Sequence, residues 1–413
     1  MITFFAYTRR GLVVLIGLAI PISTALTNVL CPLAILLLLA EGQYKQKFNT
    51  LWQHPLAVTA LLLFTVMSLG FLYTPVSLVE AGRMLDKYRE LLYIPLFILL
   101  FSDEKTRRWG LYAFLGAMGI TLLLSYLMML TGWSIGKGTP QNAFVFKNYI
   151  TQGLLLALAA YFLAVYAWQQ RRWYWLLIIL LALYNILFLS EGRTGYLIVF
   201  GLILLFAYQT YQFRGLIFGS LLLILLSSLI YSYSAVVKKR VDSASANLHS
   251  YQQGETDTSV GLRLEFYKNS LILITQQPLW GHGTGSFSYE YQQLAEKQGI
   301  VATTNPHNEY LMIGVQWGLI GMGLFIYLLY QLGMLAIHLP LPQSWMVQGL
   351  IVTIAVGCLV NSLLLDTTEG HLFAYLIGVL VSGLNSPKAI FLWRRGKQSE
   401  LANSNCQPNL RAK

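Results

Sequence analysis

Apolar runs of roughly 15 to 20 residues alternate with short polar segments along almost the whole chain. A helix of that length crosses, or nearly crosses, a hydrocarbon core about 30 Å thick. The pattern therefore predicts an all-α, polytopic integral membrane protein with about twelve transmembrane helices. Two short spans are predicted within residues 11–40, with a turn near Thr27 and Asn28. The other spans are predicted at about residues 56–73, 91–101, 110–130, 149–168, 175–189, 195–208, 216–237, 308–330, 346–365 and 372–384.

The longest polar interruption lies between predicted spans nine and ten. It divides the chain into nine transmembrane helices (1–237), a large loop domain (238–306), three further helices (307–393) and a cytoplasmic tail (394–413). Lys and Arg residues of the short loops favour the side of the N-terminus, which the positive-inside rule assigns to the cytoplasm. We therefore predict that the loop domain and the active site lie outside the cytoplasm, on the periplasmic face of the inner membrane if the organism has two membranes. A cleaved signal peptide is the alternative for the first span, and it leaves the later topology unchanged.

The composition agrees with a membrane protein and indicates which classes of partner the protein can bind. The 413 residues are 56% hydrophobic and 11% charged, whereas soluble domains are about 25% charged. The net charge of +11 comes largely from basic pairs between apolar runs, which favours contact with anionic membrane lipid over nucleic acid. Of the three cysteines, Cys31 and Cys358 lie in apolar runs and Cys406 in the tail. This distribution predicts no disulfide framework and no thiolate metal site.

Arg193 is the first of two candidates for binding a phosphate group near the external surface. It lies in a short turn between Gly192 and Gly195, which would let a bulky head group approach the backbone closely. Its guanidinium can bind a diphosphate in a bidentate manner. The alternatives are an ion pair with Glu191 or an interfacial anchor.

Arg263 is the second candidate. It lies in a helix predicted over residues 260–275, where it shares a face with Tyr267 four residues later. The alternative is a solvated charge paired with Glu265 or Glu255.

His307 is the candidate catalytic residue. Asn305 can cap a helix and Pro306 suits its first position, so we predict His307 in the first turn of span ten. The positive end of the helix dipole disfavours imidazolium there, and a neutral imidazole can act as a general base on a hydroxyl group. Glu309 can orient a basic group beside it. A histidine that is merely hydrogen-bonded at the interface is the alternative.

Asp366 and Glu369, together with His371, lie in the predicted external turn between spans eleven and twelve. Their carboxylates can pair with the external arginines, so we expect them, like Tyr267 and Glu309, to surround the site rather than to react. Their spacing is a poor match for metal ligands, and no metal or other cofactor is predicted.

The predicted location restricts the chemistry. An enzyme that faces outward generally lacks ATP and nucleotide sugars, so the energy for a transfer must arrive with the substrate. A sugar linked to a polyprenyl diphosphate meets this need, because its tail suits the spans and its diphosphate suits the arginines. The remaining requirement is a base for the acceptor hydroxyl group, which His307 can supply.

Four segments together resemble the signature of the O-antigen ligase and polymerase superfamily. They are Gly261-Leu262-Arg263, residues 278–287 (Pro-Leu-Trp-Gly-His-Gly-Thr-Gly-Ser-Phe), Pro306-His307-Asn308-Glu309-Tyr310-Leu311 and Gly318-Leu319-Ile320-Gly321. The resemblance implies twelve transmembrane helices and metal-independent, inverting glycan transfer from undecaprenyl diphosphate to the sugar core of lipid A. It also implies that Arg193 and Arg263 bind the diphosphate and that His307 activates the acceptor.

Alternatives within the superfamily are an O-antigen polymerase and a protein O-oligosaccharyltransferase. The latter usually has a longer C-terminal region, which favours the ligase for this chain. A transporter or flippase for a lipid-linked glycan is the alternative from another class, although no internal repeat of the kind typical of transporters is evident. The sequence predicts no particular oligomeric state.

Overall fold

The computed structural model describes residues 2–233, 235–253 and 258–383, and within these ranges the chain forms sixteen α-helices and no β-strand. The all-α prediction is therefore confirmed for this part of the chain. The predicted tail and Cys406 lie outside the described residues. The helices are α1 (Ile2–Ile22), α2 (Thr24–Ala40), α3 (Tyr44–Trp52), α4 (Pro55–Leu69), α5 (Leu78–Lys87), α6 (Glu90–Leu100), α7 (Glu104–Thr131), α8 (Tyr149–Gln170), α9 (Trp175–Tyr184), α10 (Arg193–Tyr233), α11 (Ala235–Gln252), α12 (Ser259–Gln276), α13 (Phe287–Gln298), α14 (Glu309–Ala336), α15 (Gln343–Val360) and α16 (Thr367–Val381).

Six of the described helical segments are long and apolar enough to cross a membrane, and α2 with α3, bent by 118°, would make a seventh. Two further apolar segments, Trp175–Leu189 and Thr367–Val381, are shorter. The chain is thus a multi-pass membrane protein, and the count of twelve spans stays a prediction. The six segments are Pro55–Leu72, Glu104–Thr131, Tyr149–Gln170, Arg193–Tyr233, Glu309–Ala336 and Gln343–Val360.

The first two helices meet at a different turn from the predicted one. The break lies at Ser23, whose side chain accepts a hydrogen bond from the amide of Leu26 at 3.2 Å and caps α2. Thr27 and Asn28 lie inside α2, and the Thr27 hydroxyl donates to the Ser23 carbonyl oxygen at 2.9 Å. The prediction of a turn at Thr27 and Asn28 is wrong because this hydroxyl is satisfied within the helix.

Helix α10 contains the boundary between predicted spans eight and nine. Gln212 has a non-helical backbone with φ of 55° and ψ of −142°. A Cβ atom added at Gly215 would lie 1.9 Å from the carbonyl oxygen of Ala207, and one at Gly219 would lie 3.0 Å from the Ala207 Cβ atom. The chain therefore turns back on itself at Gln212, and the two halves pack closely through glycine.

Predicted span four corresponds to α6, which is only 11 residues long. At about 1.5 Å per residue, α6 covers about half of a hydrocarbon core about 30 Å thick. Helix α6 is almost fully buried, and α16 packs against it: a Cβ atom added at Gly378 would lie 2.6 Å from the Phe97 Cβ atom. We infer that α6 is a core helix that α16 covers.

The predicted loop domain is helical and has its own apolar contacts. Helices α11, α12 and α13 occupy most of it, and α12 agrees with the helix predicted over residues 260–275. This segment packs on the first turns of α14, which fixes it at the end of the bundle where α14 begins. The buried cluster consists of Phe266, Leu273, Ile274, Phe287, Tyr291, Ala295, Leu311, Met312 and Val315.

Candidate functional site

The segment before α14 differs from the predicted helix start. Asn308 caps α14, and its side-chain oxygen accepts from the amide of Leu311 at 3.1 Å. Asn305 has another role: its side-chain oxygen accepts from the His307 amide at 2.8 Å and from the Ser362 hydroxyl at 2.8 Å. The predictions that Asn305 caps the helix and that His307 lies in its first turn are therefore wrong. His307 lies just before the cap.

His307 has a backbone conformation that is uncommon for a residue with a side chain. Its φ is 55°, in the left-handed region. The Tyr267 hydroxyl group shares its single proton between the carbonyl oxygens of His307, at 3.2 Å, and Leu359, at 2.9 Å. The Asn308 side-chain amide also donates to the Leu359 carbonyl oxygen, at 3.0 Å. These bonds fix the His307 backbone against the end of α15 and offset the strain.

The His307 ring is half-buried and makes no hydrogen bond to any described residue. Burial lowers the pKa of His307 below its ordinary value, and the nearby positive charge of Arg263 lowers it further. The prediction of a neutral imidazole thus has support in the structure, with burial as the first cause and the charge of Arg263 as the second. A neutral ring without a partner can accept a proton from a bound hydroxyl group.

Arg263 and Tyr267 lie one turn apart on α12, and the Arg263 charge acts on both Tyr267 and His307. Within the described ranges, Arg263 forms no ion pair. Glu265, one of its predicted partners, instead accepts a hydrogen bond from the Tyr251 hydroxyl group at 2.8 Å. The other predicted partner, Glu255, lies outside the described residues. Arg263 is therefore a cation available beside His307.

Arg193 is the first residue of α10 and is exposed. The ion pair with Glu191, which was the alternative to phosphate binding, is not formed among the described residues. The next residue, Thr194, accepts a hydrogen bond from the Asn361 side-chain amide at 3.2 Å. Because Ser362 holds Asn305, the segments that bear Arg193 and His307 are both anchored on the turn after α15.

The glycines around Arg193 serve helix packing. A Cβ atom added at Gly192 would lie 2.9 Å from the Tyr149 carbonyl oxygen, and one at Gly195 would lie 3.5 Å from the Gly153 Cα atom. The prediction that both glycines leave room for a substrate head group is therefore wrong. They allow α10 to begin in close contact with α8.

Glu309 does not orient a basic group, contrary to the prediction. It is fully buried, and one carboxylate oxygen accepts from the Tyr88 hydroxyl group at 2.8 Å while the other accepts from the Leu364 amide at 2.8 Å. Glu309 thus connects the start of α14 to the segment before α6 and to the turn before α16. Its role is to hold the site in place.

The remaining predicted carboxylates interact with a lysine charge and with a threonine hydroxyl group rather than with arginine. Asp366 is exposed; incomplete solvation raises its pKa, and the charge of Lys87 opposes that shift. Glu369 is buried and accepts from the Thr151 hydroxyl group at 2.6 Å. In the described part of the chain, no group of three or more His, Cys, Asp or Glu residues could hold a metal ion.

Lys147 is a residue of this region that the sequence analysis missed. It is buried, and its ammonium group donates to the Thr24 hydroxyl at 2.6 Å. Burial lowers the pKa of Lys147 to about 8, and the nearby Glu369 carboxylate opposes the shift. The available signal was a lone lysine directly before Asn148, which caps α8.

The fold and the site define a multi-pass membrane protein with a cationic, histidine-bearing site at one end of its helices. Residues 177–326 match a family model described as O-antigen ligase. This match includes Arg193, Arg263, Tyr267, His307 and Glu309, and it confirms the resemblance to the O-antigen ligase superfamily, whose members are glycosyltransferase-like enzymes.

A curated protein of Haemophilus influenzae is also similar to this chain. The two are 27% identical over 248 residues, which are 56% of this chain and 61% of the relative. The relative is described as an uncharacterized protein, so it supplies no activity.

Proposed function

We propose that the protein is an O-antigen ligase of the bacterial inner membrane. It would transfer a glycan from undecaprenyl diphosphate to a sugar hydroxyl group of the lipid A-core on the periplasmic side. The observation that carries this proposal is the pairing of a half-buried His307 ring, unbonded among the described residues, with a nearby Arg263 that likewise has no ion pair there.

In the proposed step, the acceptor hydroxyl group gives its proton to the neutral His307 ring. The acceptor oxygen forms a bond to the anomeric carbon while the bond from that carbon to the diphosphate oxygen breaks. The electron pair of the broken bond leaves with the diphosphate, and attack from the opposite side inverts the configuration. The products are the glycosylated acceptor, undecaprenyl diphosphate and a protonated histidine, which returns its proton to solvent.

The leaving group needs positive charge because its negative charge grows as the bond breaks. The charge of Arg263 acts on His307, and Thr194, the neighbour of Arg193, is bonded to the turn after α15 that also holds Asn305. Guanidinium groups bind phosphate oxygens in a bidentate manner and keep their charge at any physiological pH. We propose that these two residues neutralise the diphosphate, so that a transfer assay keeps its rate in EDTA.

The experiment that tests the function is a deletion of the gene in a strain that makes O-antigen. Lipopolysaccharide is separated on a gel, and the lipid-linked glycan is extracted in parallel. A bare core with long polymer still on the lipid carrier supports the ligase. A core with single repeat units indicates a polymerase, and unchanged lipopolysaccharide indicates protein glycosylation or transport; either result contradicts the proposal.

A further inference from the structure

A large cavity lies away from the candidate site, between α7, α8, α9, α16 and residues 339–343. Its volume is about 1070 Å³, which is at the upper end of the range of about 300–1,000 Å³ for small-molecule sites. Helix α8 begins at Tyr149 beside Gly192 and ends at Gln170, which lines the cavity. The cavity therefore extends to the end of the bundle opposite to the His307 site.

The walls and the mouth of this cavity have different chemistry. The walls are mainly apolar and include Leu111, Leu115, Leu122, Leu156, Phe162 and Ile178. Polar lining residues are concentrated where α7 begins and α8 ends, and we call this end of the cavity its mouth; they are Glu104, Arg107, Arg108, Tyr166 and Gln170. An apolar tail with a polar head group fits this arrangement, whereas a fully hydrated solute does not.

Arg107 gives the mouth a positive charge without an internal counter-ion. It is half-buried, and its Nη1 atom donates to the carbonyl oxygens of Phe101 at 3.1 Å and Ser102 at 3.4 Å. No carboxylate lies within ion-pair distance of Arg107 in the described chain. An unpaired guanidinium at a membrane is costly, and an anionic group would relieve that cost.

The neighbouring carboxylates already have other partners. Asp103 lies 3.4 Å from a guanidinium nitrogen of Arg10 and 3.7 Å from one of Arg9. Glu104 pairs with Arg108 at 2.9 Å. Both carboxylates act on the Arg107 charge only from beyond ion-pair distance, so the guanidinium has room for a direct anionic partner.

Exposed aromatic residues mark the same end of the bundle. Trp109 and Tyr112 follow Arg107 on α7, and Trp173 and Tyr174 lie between α8 and α9. Tryptophan and tyrosine are enriched at the level of lipid head groups. The mouth of the cavity thus lies where a phospholipid phosphate would be.

We propose that this cavity binds an anionic phospholipid. One acyl chain lies along the apolar walls, and the phosphate group accepts charge-assisted hydrogen bonds from Arg107. The bound lipid fills space between α7, α8 and α16 and so stabilises the bundle. This site is separate from the proposed transfer, since neither His307 nor Arg263 takes part.

The test uses the delipidated full-length protein in detergent, titrated with dioleoylphosphatidylglycerol or with neutral dioleoylphosphatidylcholine while Tm is measured. We expect the anionic lipid to raise Tm at a concentration about tenfold lower than the neutral lipid. Arg107→Gln should remove this preference. Lys105→Gln is the matched control, because Lys105 is an exposed cation in the first turn of α7 that does not line the cavity, and it should keep the preference.

A second variant tests the cavity itself and does not depend on how Arg107→Gln folds. Gly119 lines the cavity, and a Cβ atom added there would meet nothing within 4 Å. Gly119→Phe adds a ring at a position with open space around its Cβ atom, and it should occupy part of the cavity and weaken the response to lipid. Equal responses to both lipids in the wild type, retained preference in Arg107→Gln, or an unchanged response in Gly119→Phe would each overturn the proposal. His307→Ala should respond to the lipid as the wild type does.

Discussion

The Tyr267 hydroxyl group donates a hydrogen bond to the carbonyl oxygen of His307 at 3.2 Å, across 40 positions of the sequence. The same hydroxyl group shares this proton with the carbonyl oxygen of Leu359 at the end of α15. Tyr267 therefore connects the helix that bears Arg263 to the residue with the unusual backbone. The position of the imidazole depends on this connection because His307 itself adopts a left-handed φ of 55°.

Replacement of Tyr267 should impair transfer without preventing folding. Tyr267→Phe removes only the hydroxyl group, so we expect kcat to fall about tenfold while KM for the lipid-linked glycan changes little. Tyr289→Phe is the control, because Tyr289 is exposed on α13. Steady-state kinetics on both purified variants check this prediction. Equal kcat values for Tyr267→Phe and the wild type would show that the connection does not position His307.

The pH dependence of transfer should follow the neutral form of His307. Burial and then Arg263 lower its pKa from the ordinary value of 6.5, so the ring stays neutral as pH falls from 8 to about 6.5. The rate should then fall as pH drops through the lowered pKa, because imidazolium cannot accept the proton.

Loss of the Arg263 charge should shift the acid limb of the pH–rate profile, which is the part where the rate falls at low pH. In Arg263→Gln one cause of the lowered pKa is gone, so the limb should shift to higher pH, whereas Arg263→Lys should keep it in place. Residual transfer rates measured from pH 5 to pH 8 provide the comparison. A limb at the same pH in both variants would argue against His307 as the titrating base.

Glu309 should matter for stability rather than for chemistry. Glu309→Ala leaves the buried Tyr88 hydroxyl group and the Leu364 amide without their acceptor, at a cost of about 1–3 kcal/mol each. Glu309→Gln keeps an oxygen for the amide and a polar group for Tyr88, so it should lose much less. Tm in detergent should thus be clearly lower for Glu309→Ala than for Glu309→Gln. Similar Tm values for the two variants would contradict this role.

Gly318 should be intolerant of a side chain. Its φ is 63°, and an added Cβ atom would lie 2.3 Å from the Leu279 carbonyl oxygen. Gly318→Ala should therefore destabilise the protein by more than about 1 kcal/mol. Gly323→Ala on the same helix is the matched control, since nothing lies within 4 Å of a Cβ atom there. Thermal unfolding of both variants decides the question, and a Tm for Gly318→Ala equal to that of the control would refute the prediction.

The sequence predicted the structural features that are determined by residues close together in the chain. The helix around Arg263 was predictable because its apolar stripe and the spacing to Tyr267 lie within one segment. The backbone at residues 281–285 also depends on local chemistry, since Gly281, Gly283 and Gly285 all have positive φ.

Features that depend on contacts between residues far apart in the chain could not be predicted from the sequence. Asn305 and Asn308 are both suitable caps, and Ser362, 57 positions from Asn305, holds Asn305 in a different role. Glu309 lies two residues from His307, but its partner Tyr88 lies 221 positions away. No spacing rule connects residues so far apart, so their roles required the tertiary structure.

The central claim is that His307 acts as the general base of glycan transfer, and its most direct test is transfer by purified full-length protein. The substrates are a polyprenyl-diphosphate-linked glycan and a lipid A-core acceptor. His307→Ala should lower transfer by at least about 100-fold while remaining folded by size-exclusion chromatography. The control is His249→Ala, because His249 is an exposed histidine of α11. Transfer by His307→Ala at the rate of the wild type and the control would contradict the claim.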